Sequence, residues 1–277
     1  MPSTAIFCAG IAGWIPDVDY ISITNLSKTF EGRERSVAAL QDINLTLSRG
    51  EFVCLLGPSG CGKSTLLNAI AGFIQPSAGE IVVDCRPVRE PGPERGVVFQ
   101  EYAIFPWMTV ARNIAFGLEI KGVAAVEIRE RVDLLLETLG LREFRDRFPK
   151  DLSGGMRQRV AIARLLAIDS PVMLMDEPFG ALDALTRRTL QDELLRIWRE
   201  SGKTILFVTH SIEESLYLAT RIVVMTYRPG TIKRDQIVTM AYPRDPAGVE
   251  FNELKRELGL LVMEEQERHT RDEMRMV

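Results

Sequence analysis

Gly57-Pro58-Ser59-Gly60-Cys61-Gly62-Lys63-Ser64-Thr65 fits the pattern G-x-x-x-x-G-K-[ST], and residues of these types at this spacing make a cradle for phosphate. Glycines reach positive φ at little cost, so the backbone N–H groups turn toward an anion that also meets the start of the following helix. In such a loop Lys63 reaches the β- and γ-phosphates and the Ser64 hydroxyl ligates Mg²⁺. A second place for chemistry is Asp176-Glu177, which closes the apolar run Val172-Met173-Leu174-Met175. A carboxylate there suits a hard cation that keeps several waters, and Glu177, on the opposite side of the strand, is placed to polarise an attacking water. Adjacent acids after a strand also serve as plain helix-starting residues. Ser153-Gly154-Gly155 opens a helical stretch, either as a second anion-binding helix start or as an ordinary N-cap.

The elements that must position these residues are legible in the apolar spacing. Glu51-Phe52-Val53-Cys54-Leu55-Leu56 reads as a buried strand before the loop, and Leu66, Leu67, Ile70, Ala71 and Ile74 recur at helical spacing after it. Tyr20–Ile23 alternates as a strand with one wet face, and Leu40, Ile43, Leu45 and Leu47 repeat similarly, which predicts an antiparallel lobe ahead of the loop. From Val110 to about Arg147 the period is helical, with Val132, Leu135, Leu136, Leu139 and Leu141 as the apolar stripe. Then helix and strand alternate: a helix with Val160, Ile162, Ala163 and Leu166, the strand ending at Asp176, a helix with Leu190, Leu194, Ile197 and Trp198, and the strand 204–209. Helices alternating with fully apolar strands imply a mostly parallel sheet covered on both faces, with ligands at the carboxyl ends of its strands. Gly57, Asp176 and His210 all fall there. Beyond Tyr227 the strand pattern fades, and 250–277 reads as a charged, peripheral helical tail.

Composition narrows the partners. A chain of 277 residues with 46% hydrophobic content can bury a full core, and a formal net charge of -4 argues against a broad surface for nucleic acid. No apolar run approaches the roughly 18 to 20 residues that span a bilayer. The apolar stretch Ala5–Ile15 has no basic residue before it and is read as an extension. Cys8, Cys54, Cys61 and Cys85 form no C-x-x-C pair and are expected to be reduced thiols.

Taken together, the phosphate loop, Gln100 after Val97-Val98-Phe99, the segment Leu152-Ser153-Gly154-Gly155-Met156-Arg157-Gln158-Arg159 and the strand ending Asp176-Glu177 resemble the ATP-binding-cassette ATPase family over roughly residues 20 to 235. Met156 stands where that family usually has Gln. The resemblance implies an α/β fold: a RecA-like P-loop NTPase core with a mostly parallel sheet, an N-terminal antiparallel β lobe and an inserted α-helical subdomain. It implies an extension over 1–18, the ATPase domain over 19–235 with its helical subdomain at about 101–158, and a mostly helical tail over 236–277. It further implies ATP and Mg²⁺ as cofactors, with Ser64, Gln100 and Asp176 at the metal and Glu177, His210 and Lys63 as the catalytic groups. Phe30 resembles the aromatic that stacks on adenine and Val37 its apolar neighbour, though ordinary packing also accounts for both. Asp183 corresponds to a loop crossing a dimer interface, or to a helix N-cap, or to both. Ser211 stands where the family often has Asp.

In that family the Ser153-Gly154-Gly155 segment of one subunit completes the nucleotide site of another, so a second ATPase subunit, an identical copy, is expected. Pro91-Gly92-Pro93, Phe105-Pro106-Trp107 and Arg228-Pro229-Gly230 look like the import ATPases for nitrate, sulfonate, taurine and bicarbonate. The partners implied are transmembrane permease subunits and, through them, a solute-binding protein, with this chain peripheral at the cytoplasmic face of the membrane. Phe105-Pro106-Trp107 is read as a docking surface for the permease or as a turn with a buried anchor. Two rival readings remain: a non-transport ATPase of the same superfamily in a soluble machine, and a nucleotide-binding module without hydrolysis.

Overall fold

Apolar alternation governs the start of the chain, where β1 (Ile21–Glu31) and β2 (Ser36–Leu47) pair antiparallel with Ile21 opposite Leu47 and Phe30 opposite Val37. The structure, a computed structural model, describes residues 19–32, 36–180 and 182–276, so the expected extension over 1–18 and its Cys8 lie outside the described residues. In chain order there follow β3 (Phe52–Leu56), α1 (Lys63–Ala71), β4 (Ala78–Val83), β5 (Arg86–Pro87), β6 (Arg95–Val98), α2 (Val110–Ile120), α3 (Ala125–Thr138) and α4 (Gly154–Ala167). The remainder is β7 (Val172–Asp176), α5 (Ala184–Ser201), β8 (Thr204–Thr209), α6 (Ile212–Leu218), β9 (Arg221–Met225), β10 (Ile232–Ile237) and α7 (Val249–Met276).

Two sheets result. An antiparallel one runs β2-β1-β4-β5, and a second runs β10-β9-β3-β8-β7-β6, parallel throughout except for β10 at its edge. Every residue of β3 and β8 is buried, as a strand covered on both faces requires. Along β3 the two faces feed different cores. Val53 and Leu55 pack with α1 and the antiparallel sheet, whereas Phe52, Cys54 and Leu56 pack with residues of α4, α5 and α6. The helices α2, α3 and α4 share a third core, built on Ile114, Leu118, Leu136 and Val160. The α/β architecture with an antiparallel lobe, a mostly parallel sheet and a helical layer is therefore the expected one.

Two expectations are corrected. Residues beyond Tyr227 do not leave the body of the protein: β10 adds a strand whose charged residues suit an exposed edge, and α7 docks onto the parallel-sheet core. Phe251 and Leu258 are each only 1% exposed, with Leu254, Leu261 and Val262 packed beside them. Their spacing is helical, but the dense charges between them hide the stripe. Cys85, in the turn between β4 and β5, is disulfide-bonded, so among the described residues the reading of reduced thiols holds for Cys54 and Cys61 and fails for Cys85. Pairing depends on Cα atoms brought within about 4.4–6.8 Å, which linear spacing does not encode.

Phe251→Ala is predicted to cost about 3–5 kcal/mol of unfolding free energy, the range for deleting a buried aromatic. The measurement is urea unfolding: a lowered midpoint at constant slope supports docking, and a loss under about 1 kcal/mol would mean that α7 is not part of the core.

Candidate active site

The loop between β3 and α1 is shaped by what its glycines avoid. Gly62 caps α1 at φ 98, and a Cβ there would stand 2.8 Å from the carbonyl oxygen of Ala39 and 2.7 Å from the Leu40 side chain, so only glycine fits. Having no side chain, Gly62 leaves the first turn of α1 without a side-chain cap, and the first N–H groups of a helix have no partner within it. Lys63 is 5% exposed, and its ammonium donates to the carbonyls of Gly57 and Pro58, both at 2.8 Å. A buried cation and an uncapped helix start thus sit side by side in the same loop. Both favour phosphate oxygens.

The strand order brings the acids to this loop. Since β8 lies between β3 and β7, and α1 packs across β7 and β8, Ser64 at the start of α1 reaches the end of β7 and donates its hydroxyl to Asp176 Oδ1 at 3.0 Å. Burial pushes the Asp176 carboxyl above its ordinary pKa, partly offset by the Ser64 hydrogen bond, with the neighbouring Glu177 charge pushing the same way as burial and Lys63 against it. This pair fits Mg²⁺, which binds through one or two protein oxygens and completes its shell with water and substrate phosphate. Gln100 is exposed just beyond β6, whose Val98 pairs with Met175, so it shares the carboxyl edge with Asp176.

Glu177 continues the parallel pairing past the strand, its N–H donating to the Val208 carbonyl at 3.0 Å, at a φ of 44° that few non-glycine residues adopt. That register sets it beside His210, and Glu177 Oε2 lies 3.1 Å from His210 Nδ1. The turn carrying His210 is fixed from beneath. Thr209 Oγ1 accepts from the Ser211 N–H at 3.0 Å and donates to the buried Glu214, while Ser211 caps α6 through the Glu214 N–H. Ser211 is thus a helix cap.

Other expected residues lie farther out. Phe30 and Val37 form a cross-strand pair, 42% and 40% exposed, with the Lys28 ammonium 5.1 Å from the Phe30 ring centre. Two residues beyond Val37, β2 reaches Ala39, which abuts Gly62. Ser153 caps α4 by accepting from the Met156 N–H, and Gly154 and Gly155 form the first turn. Met156 packs into the core of α2, α3 and α4. Within one chain this segment is not brought to the phosphate loop: α4 packs on α2, α3, α5 and β6, whereas α1 packs on β2, β6, β7 and β8. Asp183 is the N-cap of α5, accepting from the Thr186 N–H at 2.9 Å, which holds its carboxyl below the usual range. Arg228 is a contact that sequence reasoning passed over: its Nε–H donates to the Gly60 carbonyl at 3.1 Å. Its only signal was the Arg228-Pro229-Gly230 string, which carried family likeness and no stated role.

A family model described as ABC transporter matches residues 40–180. The chain belongs to the ABC transporter family. It is 51% identical over 216 residues to a taurine import ATP-binding protein of Roseobacter denitrificans, covering 78% of this chain and 81% of that one. To a nitrate import ATP-binding protein of Synechocystis it is 45% identical over 238 residues, covering 86% and 90%. A solved dimeric ATP-binding cassette in a post-hydrolysis state with ADP and phosphate superposes with a TM-score of 0.72 at 33% identity, over 80% of this chain and 100% of that one. The fold of this ABC transporter chain is accordingly that of an ATPase cassette.

Because the native pKa of Asp176 lies above its ordinary 3.8, the native state carries a penalty at neutral pH that disappears as the pH falls through the raised value toward 3.8. Asp176→Asn is therefore predicted to melt at a higher temperature than the unaltered protein at pH 8 without nucleotide, with the gain shrinking as the pH is lowered toward 3.8. A variant less stable at pH 8 would show that burial does not dominate at this carboxyl.

Proposed function

We propose that this chain is the ATP-hydrolysing subunit of an importer for a small anion of the nitrate, sulfonate, taurine or bicarbonate kind, working as a pair of identical copies beneath transmembrane permease subunits. ATP binding and hydrolysis follow from membership of the ABC transporter family. The observation that carries the catalytic part is the pairing at one sheet edge of Ser64 with Asp176 at 3.0 Å and Glu177 with His210 at 3.1 Å. In this reading the loop amides and Lys63 hold the phosphates in place, and Ser64 and Asp176, with Gln100 beside them, hold Mg²⁺. The metal supplies charge neutralisation on the phosphates when bound. Glu177 orients and takes a proton from the attacking water, while His210, fixed by the Thr209–Ser211 turn, supports the terminal phosphate. Phe30 and Val37 offer an apolar face for the base.

The different packing partners of α4 and α1 within one chain support a site shared between two copies, as does the dimeric state of the solved cassette. Residues 19–235 are the cassette in this account, with the helical lobe at about 101–158. Transport itself is supported by the taurine and nitrate importers among the relatives. Among the described residues no helix is long and apolar enough to cross a membrane, and in this reading permease subunits make the path. Its docking point is the turn at Phe105-Pro106-Trp107. Asn113, fully buried, bonds the Phe105 backbone on both sides and the carbonyls of Met108 and Thr109. Phe105 packs edge-on against Phe116, leaving Trp107 68% exposed on a rigid base. A rigidly presented aromatic is a typical interface anchor.

Glu177→Gln is predicted to bind ATP normally and lose turnover by roughly 10²- to 10⁴-fold, the range for a lost general base. Phosphate release against ATP binding measures this, and undiminished turnover removes Glu177 from the role. Trp107→Ala is predicted to leave ATP hydrolysis by the isolated chain unchanged but to abolish co-purification with a co-expressed anion-importer permease. Undiminished co-purification would place docking elsewhere.

A further inference from the structure

Between β9 and β10 the chain makes a short loop, residues 226–231, that touches the phosphate loop and the antiparallel lobe together. Arg228 donates Nε–H to the Gly60 carbonyl at 3.1 Å. Two residues on, the Gly230 N–H donates to the Ala39 carbonyl and the Gly230 carbonyl accepts from the Gln41 N–H, both at 3.0 Å. A Cβ on Gly230 would stand 2.2 Å from the Cys61 carbonyl oxygen, so the backbone itself is wedged against the loop that holds phosphate. Nothing larger fits.

The other end of this strap is fixed from α7. Glu265, more than thirty residues later, is 2% exposed, and its Oε2 accepts the Tyr227 N–H at 2.9 Å. Lys233 donates to Oε1 at 2.7 Å and Arg268 to Oε2 at 3.1 Å, while the Tyr227 ring lies 4.5 Å from the ring of His269 on α7. A carboxylate this deep is tolerated only with its partners in place. Anchoring α7 does not require it, since Phe251 and Leu258 already bury the helix on the sheet. What Glu265 adds is a fixed position for the backbone one residue before Arg228.

We propose that α7 belongs to the nucleotide-binding apparatus, with Glu265 as a positioning residue that holds Arg228 against the phosphate loop and thereby sets the affinity for ATP. This rests on the reading that Gly57–Thr65 holds ATP. Arg228 bonds to the loop that binds, and Glu265 bonds to the backbone beside Arg228; the Glu177–His210 pair is a separate contact, so the loss of either residue acts on KM and spares kcat.

The test is steady-state phosphate release against ATP concentration for the full chain and for Arg228→Ala, Glu265→Gln and the double variant. Each single change is expected to raise KM about 5- to 20-fold, as loss of a hydrogen bond from a charged group does, with kcat within about twofold. The double variant is expected to be no worse than the more severe single, because the two residues act in series. Arg228→Lys, which keeps a donor for Gly60, is expected to recover part of the loss. An unchanged KM in either single variant, or effects that multiply in the double, overturns the proposal. Should Glu265→Gln fail to fold, Glu265→Asp, which keeps the charge and draws the carboxylate back from Tyr227, is judged by the same criterion. An unaltered protein whose phosphate release does not saturate with ATP would instead sink the nucleotide reading.

Discussion

The hydrogen bond from Ser64 to Asp176 joins residues 112 positions apart, and most of the architecture exists to hold its two ends at that distance. A loop at the end of one parallel strand and a carboxylate at the end of another meet only if β3, β8 and β7 lie side by side and α1 crosses them. Long-range parallel pairing of this kind is paid for by a sheet buried on both faces, which is why β3 and β8 carry no polar face at all. With both faces closed, the carboxyl edge is the place where backbone and side chains can meet a ligand. The phosphate loop, Asp176, Glu177 and His210 all come off that edge.

That concentration of charge works against stability. Asp176 is held above its ordinary pKa by burial, Lys63 is enclosed by carbonyls, and Glu177 occupies a left-handed backbone conformation. Beneath the site Glu214 is likewise raised by burial and is kept by hydrogen bonds from Thr209 and Gln191. Such groups persist because the surrounding packing fixes them, and sites that bind and hydrolyse are where proteins keep them.

The sequence made some of this plain and left some of it out of sight. The phosphate loop, the buried strands and the Asp176-Glu177 pair were legible because each depends on residues adjacent in the chain. His210 was legible as a strand-end histidine, but its partner was not, because the contact with Glu177 depends on the register of two strands. The docking of α7 was misread since Phe251, Leu254 and Leu258 are diluted by charges, and a buried Glu265 looks like any solvated glutamate until Lys233, Arg268 and the Tyr227 N–H surround it. The reach of Arg228 to Gly60 is not legible in the sequence, because a loop wedged between two sheets leaves no periodic trace.

Half of the chemistry has no counterpart within one chain. Ser153, Gly154 and Gly155 present a capped helix start on α4, which packs on α2, α3, α5 and β6, and their proposed role lies in a twin. The most direct measurement is sedimentation of the Glu177→Gln protein with Mg-ATP, alone and combined with Ser153→Arg. A chain of 31.1 kDa should sediment at about twice its mass when ATP is present, and at its single mass without ATP or with Arg at 153. A Glu177→Gln protein that binds ATP yet stays at the single mass, or that dimerises equally with Arg at 153, would contradict the shared site.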